Sequence, residues 1–233
     1  MHRLVAILAI ALLLPLLPPT APVAEASFTV LADETESRFP RELVFRLRAT
    51  ADREIKNIQV NMMIGRERVS SYGYPEFTPG TTVEAEYVLR TGADRYIPPM
   101  SKITYWYLIE DSAGERYETE RKTIRYEDPQ YQWQQLEHEQ LIVFYHDLPT
   151  ERAQRIADAG MQTIAEAKSA FGVDVSNQIA IVVYNSREQM NAALPPQSQA
   201  VQEALVTLGQ AHSEHDVVLV LDYLGNDQEL IET

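Results

Sequence analysis

Cysteine is absent from the 233 residues, which excludes disulfide staples, thiolate zinc sites and cysteine nucleophiles together. Basic side chains are scarce. Twenty Lys and Arg stand against 34 Asp and Glu, a formal net charge of -14. Such a chain repels phosphate backbones and anionic lipid, and no Lys/Arg cluster offers a local exception, so nucleic acid is not an expected partner. Glycine is sparse too. Gly73, Gly80, Gly92 and Gly114 are isolated turn glycines, and neither a Gly-x-Ser-x-Gly elbow nor a phosphate loop occurs. Hydrophobic residues make up 45% of the chain, enough for one or two buried cores.

The only long apolar run is at the N-terminus. Met1-His2-Arg3 carries one firm positive charge, Leu4 to Leu17 is almost unbroken, and Ala24-Glu25-Ala26 places small residues two apart before Ser27. This is the pattern of a cleavable secretory signal over residues 1–26. The run contains Pro15 and falls short of the ~20 residues needed to cross a bilayer, although retention as an anchor is the rival reading. Cleavage would remove Arg3 and Glu25 together and leave the net charge unchanged. The expected location is extracellular or cell-envelope, with no membrane span after cleavage.

Residues 27–127 follow a period of two. Leu43, Phe45, Leu47 and Ala49 alternate with Val44, Arg46 and Arg48; Ile58, Val60, Met62 and Ile64 repeat the pattern, as do Val83, Ala85, Tyr87 and Leu89, and Ile103, Tyr105, Tyr107 and Ile109. Turn signals separate these runs at Tyr74-Pro75, Thr78-Pro79-Gly80, Ile97-Pro98-Pro99 and Asp111-Ser112-Ala113-Gly114. Short alternating strands with no helical stretch predict an antiparallel β-sandwich of immunoglobulin or fibronectin III-like kind. Aromatics gather here, including Tyr72, Tyr74, Phe77, Tyr87, Tyr96, Trp106 and Tyr117. They suit half-buried strand surfaces, and they also suit a ligand-binding aromatic face of the kind carbohydrate modules use.

The period changes over residues 128–233. Leu141 to Tyr145 is a continuous apolar strand, and apolar residues from Ala153 to Phe171 recur at three and four, as on an amphipathic helix. Thr150 is the expected cap, Glu151 complements the dipole and Gly172 ends the helix. Ile179 to Tyr184 predicts a second strand, Ser186 to Leu194 a short helix and Val217 to Leu221 a third strand. The order is strand, helix, strand, helix, strand. Asp227 to Thr233 reads as the first turn of another helix, with Leu224, Leu230 and Ile231 opening an apolar stripe. On that pattern the domain is expected to be incomplete and marginal alone, since Val217 to Leu221 is apolar on both faces.

Few residues qualify for chemistry. His138-Glu139 begins a zinc-binding His-Glu-x-x-His, but position 142 is Ile, so the second imidazole is missing. His212 and His215, with Asp216 or Asp222 as a third ligand, have ligating side chains at a spacing that does not fit the inverted zinc motif, and an exposed polar turn is expected. Glu110-Asp111 lies at a strand end, where solvation accounts for it. No catalytic, cofactor-binding or metal-ligating residue is therefore assigned.

Tyr74-Pro75-Glu76-Phe77-Thr78-Pro79-Gly80, Tyr96-Ile97-Pro98-Pro99, Tyr105 to Gly114 and Tyr126-Glu127-Asp128 resemble the N-terminal sandwich of exported bacterial proteins with a peptidase MA-like domain, which are gluzincin-type zinc metallopeptidase relatives. Leu136 to Tyr145, Glu151 to Phe171, Ile179 to Tyr184, Met190 to Pro196 and Val217 to Leu221 are similar to the start of that peptidase domain. The resemblance implies an incomplete α+β metallopeptidase-like domain after the sandwich. In the family the next helix carries His-Glu-x-x-His, whose histidines bind zinc and whose Glu activates water. No residue of this sequence corresponds to those positions. The chain itself is therefore expected to be catalytically inactive and free of cofactor, with zinc and a peptide or protein substrate implied only for a completed domain. The alternative is a non-enzymatic extracytoplasmic β-sandwich binding module for protein or glycan.

Overall fold

The structure is a computed structural model that describes residues 28–92, 95–172, 174–195 and 208–222. The signal segment 1–26, most of 197–208 and the stripe and helix start expected over 224–233 lie outside the described residues.

The first half is built around one strand. β1 (Phe28–Arg38) is followed by β2 (Glu42–Ile64), β3 (Ser71–Gly73), β4 (Gly80–Arg90), β5 (Lys102–Asp111), β6 (Arg116–Glu118) and β7 (Lys122–Arg125). The two runs that read as separate strands, Leu43 to Ala49 and Ile58 to Ile64, are halves of β2. Its first half lies between β1 and β4, with Phe45 opposite Thr35 on one side and Tyr87 on the other. Its second half pairs with β5 from Ile55 to Ile64 and with β3 at Val60 to Met62. The register slips between Thr50 and Ile55 and again between Ile55 and Asn57, and bulges of this kind let a strand change layers. The slip also changes parity. Leu43, Phe45, Leu47 and Ala49 point inward before it, and Ile58, Val60, Met62 and Ile64 after it, all in one core. Phe45 and Tyr105 meet across that core at 5.1 Å. The result is a curled β-sheet folded into a sandwich. The expectation of an immunoglobulin or fibronectin-type pair of sheets is corrected to this extent: hydrogen bonding through β2 joins both layers into one seven-stranded sheet.

The second half is a mixed sheet with helices. β8 (Gln134–His138) and β9 (Leu141–Tyr145) form a hairpin, followed by α1 (Thr150–Phe171), β10 (Ile179–Tyr184), α2 (Arg187–Ala193), β11 (Gly209–His212) and β12 (Val217–Leu221). The order across the sheet is β11-β12-β10-β9-β8, with β9, β10 and β12 parallel and the two edge strands antiparallel to them. β11 escapes a reading by pattern, because Gly-Gln-Ala-His has neither alternation nor an apolar run. Thr150 is not the cap of α1; Pro149 occupies that position, and the Thr150 hydroxyl lies 3.2 Å from that of Tyr145. Gly172 ends the helix in the left-handed conformation, as expected.

Both faces of the sheet are covered. Leu141, Val143, Tyr145, Ile181, Val183 and Val220 pack under Ala153, Ile156 and Ala157 of α1. Ile142, Phe144, Val182, Tyr184, Val217, Leu219 and Leu221 share one core cluster with α2 and with the sandwich residues. The second face of Val217 to Leu221, for which the sequence offered only partial cover from Ser186 to Leu194, is therefore covered by α2 in a core shared with the first half of the chain. At roughly 1.5 to 3 kcal/mol for each large aliphatic buried, this shared core is a major part of the stability. The two halves also touch at the turn after β2. Gly65 sits at φ +59, a Cβ there would lie 2.4 Å from the Glu214 carbonyl oxygen, and Arg66 N–H donates to that same carbonyl at 2.7 Å.

Candidate functional site

The residues singled out for chemistry are dispersed by the fold. His138 ends β8, with Nε2 3.5 Å from Asp158 and Nδ1 3.3 Å from the Gln154 amide nitrogen. Glu139 occupies the β8–β9 turn at φ +51. His212 packs its ring against Tyr96, whose hydroxyl donates to the Ala193 carbonyl at 2.6 Å. His215 instead places Nδ1 3.2 Å from the Ser101 hydroxyl. The expected exposed turn is corrected in part: Ser213 and Glu214 are exposed, but His212 and His215 are half-buried, which pushes both imidazoles below the ordinary histidine pKa, with the charge of His215 adding to the effect at His212. Asp216 accepts from Asn177 and lies 3.7 Å from Arg66, while Asp222 is committed to Arg152. Among the described residues no three ligating side chains gather to hold a metal. The residues present do not fit the zinc that the peptidase resemblance implies.

Half-buried histidines with lowered pKa carry a pH signature. Their folded pKa lies below the unfolded value of about 6.5, so the unfolded chain takes up protons first, and stability falls as pH drops through 6.5 until the folded value is reached. Acidification from about pH 7.5 to about pH 5 is expected to lower the thermal midpoint. The double variant His212→Gln/His215→Gln should show a smaller drop; an identical drop would refute the assignment.

Asp111 is not a solvated strand-end carboxylate, since it is 2% exposed. Burial alone would raise its pKa, yet the Ala113 and Glu115 N–H groups and Arg53 outweigh that and hold it below the usual range. It organises the β5–β6 turn.

A dense aromatic group lies where the halves meet. His146 stacks on Tyr131 at 4.2 Å and meets the edge of Trp133 at 5.0 Å, with Tyr184 5.5 Å from Trp133. Trp133 donates to the Asp128 carbonyl at 2.8 Å, and the Asn185 amide donates to the His146 carbonyl at 2.7 Å. Asp128 is buried, which pushes its carboxyl above the ordinary range. These side chains bind chain segments to one another.

The open surface is elsewhere, on the outer face of the second sandwich layer. Tyr72 and Tyr74 are 60% and 58% exposed, with ring centroids 5.7 Å apart and planes at 75°. Gly73 between them faces inward against Tyr87, where a Cβ would lie 2.2 Å from the ring, so the two tyrosines are directed outward. Across the ladder Tyr72 is opposite Asn61, and Asn61 is opposite Trp106. The Gln59 amide donates to Asn61 Oδ1 at 2.7 Å, and the Arg121 guanidinium lies 4.2 Å above the Trp106 ring. The sequence showed the aromatics, but Gln59 and Asn61 gave no signal, because only the bulge at Ile55 to Asn57 decides that they face out.

No family profile matches this sequence, and no curated protein matches it. Among solved structures, the chain is similar to a bromine derivative of BhCBM56 at 13% identity, covering 40% of this chain and 88% of that one, with a TM-score of 0.30. It is similar also to structural genomics target SoR45 at 15% identity, covering 45% of this chain and 85% of that one, with a TM-score of 0.23. At these scores neither likeness bears on function.

Proposed function

We propose that the protein is a non-enzymatic binding protein of the cell exterior or envelope, and that its sandwich holds its partner on the outer face of the second layer. The observation that carries this reading is the exposed Tyr72–Tyr74 pair beside the half-buried Gln59 amide, which Asn61 holds from beneath the surface. Large exposed aromatics next to planar polar groups are the composition of binding surfaces. Export rests on the pattern of residues 1–26. The full chain is expected to sediment with particulate cell-envelope material, and Tyr72→Ala/Tyr74→Ala to remain in the supernatant. Equal sedimentation of both proteins, or of neither, would refute the reading.

A second reading, the sheet-and-helix front part of a gluzincin-type metallopeptidase, is favoured by the order β9-α1-β10-α2-β12 and by the motifs quoted above. Its zinc has no fitting residues among those described, so no hydrolytic step is derived. Zinc-dependent cleavage of casein by this chain, stopped by a chelator, would favour it over the binding reading.

A further inference from the structure

We infer that the partner of the Tyr72–Tyr74 face is an uncharged, non-crystalline glycan of the cell envelope, a step that rests on the binding reading and names its ligand class. Three observations converge on that chemistry.

The first is the change in character along β2. Its outward positions in the first half include Arg46 and Arg48, each within 4 Å of a glutamate carboxylate on a neighbouring strand. In the second half the positions of that parity are Asn57, Gln59, Asn61 and Met63, of which Asn57 is exposed, Gln59 and Met63 are half-buried and Asn61 is buried. A primary amide offers both a carbonyl acceptor and an NH2 donor in one plane, the combination that adjacent sugar hydroxyls, each donor and acceptor, can satisfy.

The second is the transverse row. Tyr72, Asn61 and Trp106 are neighbours on three adjacent strands, and Arg121 roofs the indole. The row therefore runs from an open phenol ring, past the buried Asn61 amide, to the guanidinium plane that covers the buried indole. The exposed Tyr72 and Tyr74 rings can pack against the C–H face of a pyranose, and the half-buried Gln59 amide, held by Asn61, lies beside them to meet its rim.

The third is charge. Charged side chains on and beside this face include the pairs Arg116 with Glu110 at 2.7 Å and Arg121 with Glu118 at 3.7 Å, and Arg95, which donates to the Ser71 hydroxyl at 3.0 Å. The patch is balanced within a chain of net charge -14. A polyanionic glycan is repelled by the whole protein and finds no free cation cluster here, whereas a neutral one meets no opposing field.

Ring geometry narrows the class. With planes at 75° the two rings do not form one flat platform, which suits a branched or non-crystalline chain whose successive sugar rings are turned relative to one another.

Isothermal titration of the full chain with neutral hexasaccharides of glucose, of mannose and of N-acetylglucosamine, with hexagalacturonate as the anionic probe, tests this directly. At least one neutral hexasaccharide is expected to bind. Tyr72→Ala and Tyr74→Ala should each weaken it at least about tenfold, while Tyr72→Phe, which keeps the ring face, stays within about threefold. Unfolding midpoints near that of the unsubstituted protein show that these exposed positions report binding and not folding. Tighter binding of hexagalacturonate, or neutral-sugar affinity unchanged in Tyr72→Ala, would overturn the inference. If sedimentation with envelope material depends on Tyr72 and Tyr74 but a proline-rich peptide, and no sugar, displaces the protein, the glycan fails and the binding face stands. If sedimentation is indifferent to both tyrosines, both readings fall.

Discussion

Arg152→Met is expected to destabilise the protein by about 3 to 5 kcal/mol, as happens when one partner of a buried ion pair is removed. Arg152 begins α1 and Asp222 directly follows β12. Their side chains are 5% and 4% exposed and join in two bonds of 2.6 and 2.9 Å. Methionine fills most of the volume but leaves the Asp222 carboxylate buried with no cation among the described residues. The double variant Arg152→Met/Asp222→Leu should recover much of the loss, since it removes both charges from a dry site. Chemical denaturation of the two variants measures this. A single variant within about 1 kcal/mol of the unsubstituted protein would show that the pair is effectively solvated.

Tyr184 should separate packing from hydrogen bonding. It is fully buried at the end of β10, beside Tyr131, Trp133 and His146, and its hydroxyl has no partner among the described residues. Tyr184→Ala is expected to cost about 3 to 5 kcal/mol, a midpoint shift on the order of 10 °C, because it empties the junction shared by the sandwich and the mixed sheet. Tyr184→Phe keeps the ring and removes only a buried unsatisfied hydroxyl, so it should be neutral or slightly stabilising. A Phe variant as damaged as the Ala variant would mean that the hydroxyl holds something essential. Thermal unfolding followed by near-ultraviolet circular dichroism distinguishes the cases.

What could be read from the sequence was whatever repeats along the chain. The inward residues of β2, β4 and β5, the three parallel strands and the stripe of α1 all follow from periodicity, because burial on one face imposes it. The continuity of β2 could not be read that way. Ala51-Asp52-Arg53-Glu54 contains neither Gly nor Pro, yet the strand bends there through a register slip that only its partners create. The cover of Val217, Leu219 and Leu221 was half hidden for a related reason, since α2 shares that core with residues more than a hundred positions earlier. The binding face was half visible. Tyr72 and Tyr74 stand out in composition, but their exposure depends on Gly73 lying against Tyr87. Asn61 becomes their neighbour only through strand pairing. The partial burial of His212 and His215 follows from the docking of the β2–β3 turn, which no local pattern records.

Because one strand serves both layers, the order in which a growing chain emerges constrains when either layer can close. The first half of β2 finds β1 already made but must wait for Arg90 before its other edge is paired. The second half waits still longer, for Ile103 to Asp111. Until then Ile58, Val60, Met62 and Ile64 form an apolar ribbon with open hydrogen-bonding edges, the kind of segment that recruits other chains. Assembly therefore depends on distant pairings, which makes it slow relative to local folding. It also makes the interval between the emergence of Ile64 and that of Asp111 the period in which a chaperone has most to protect.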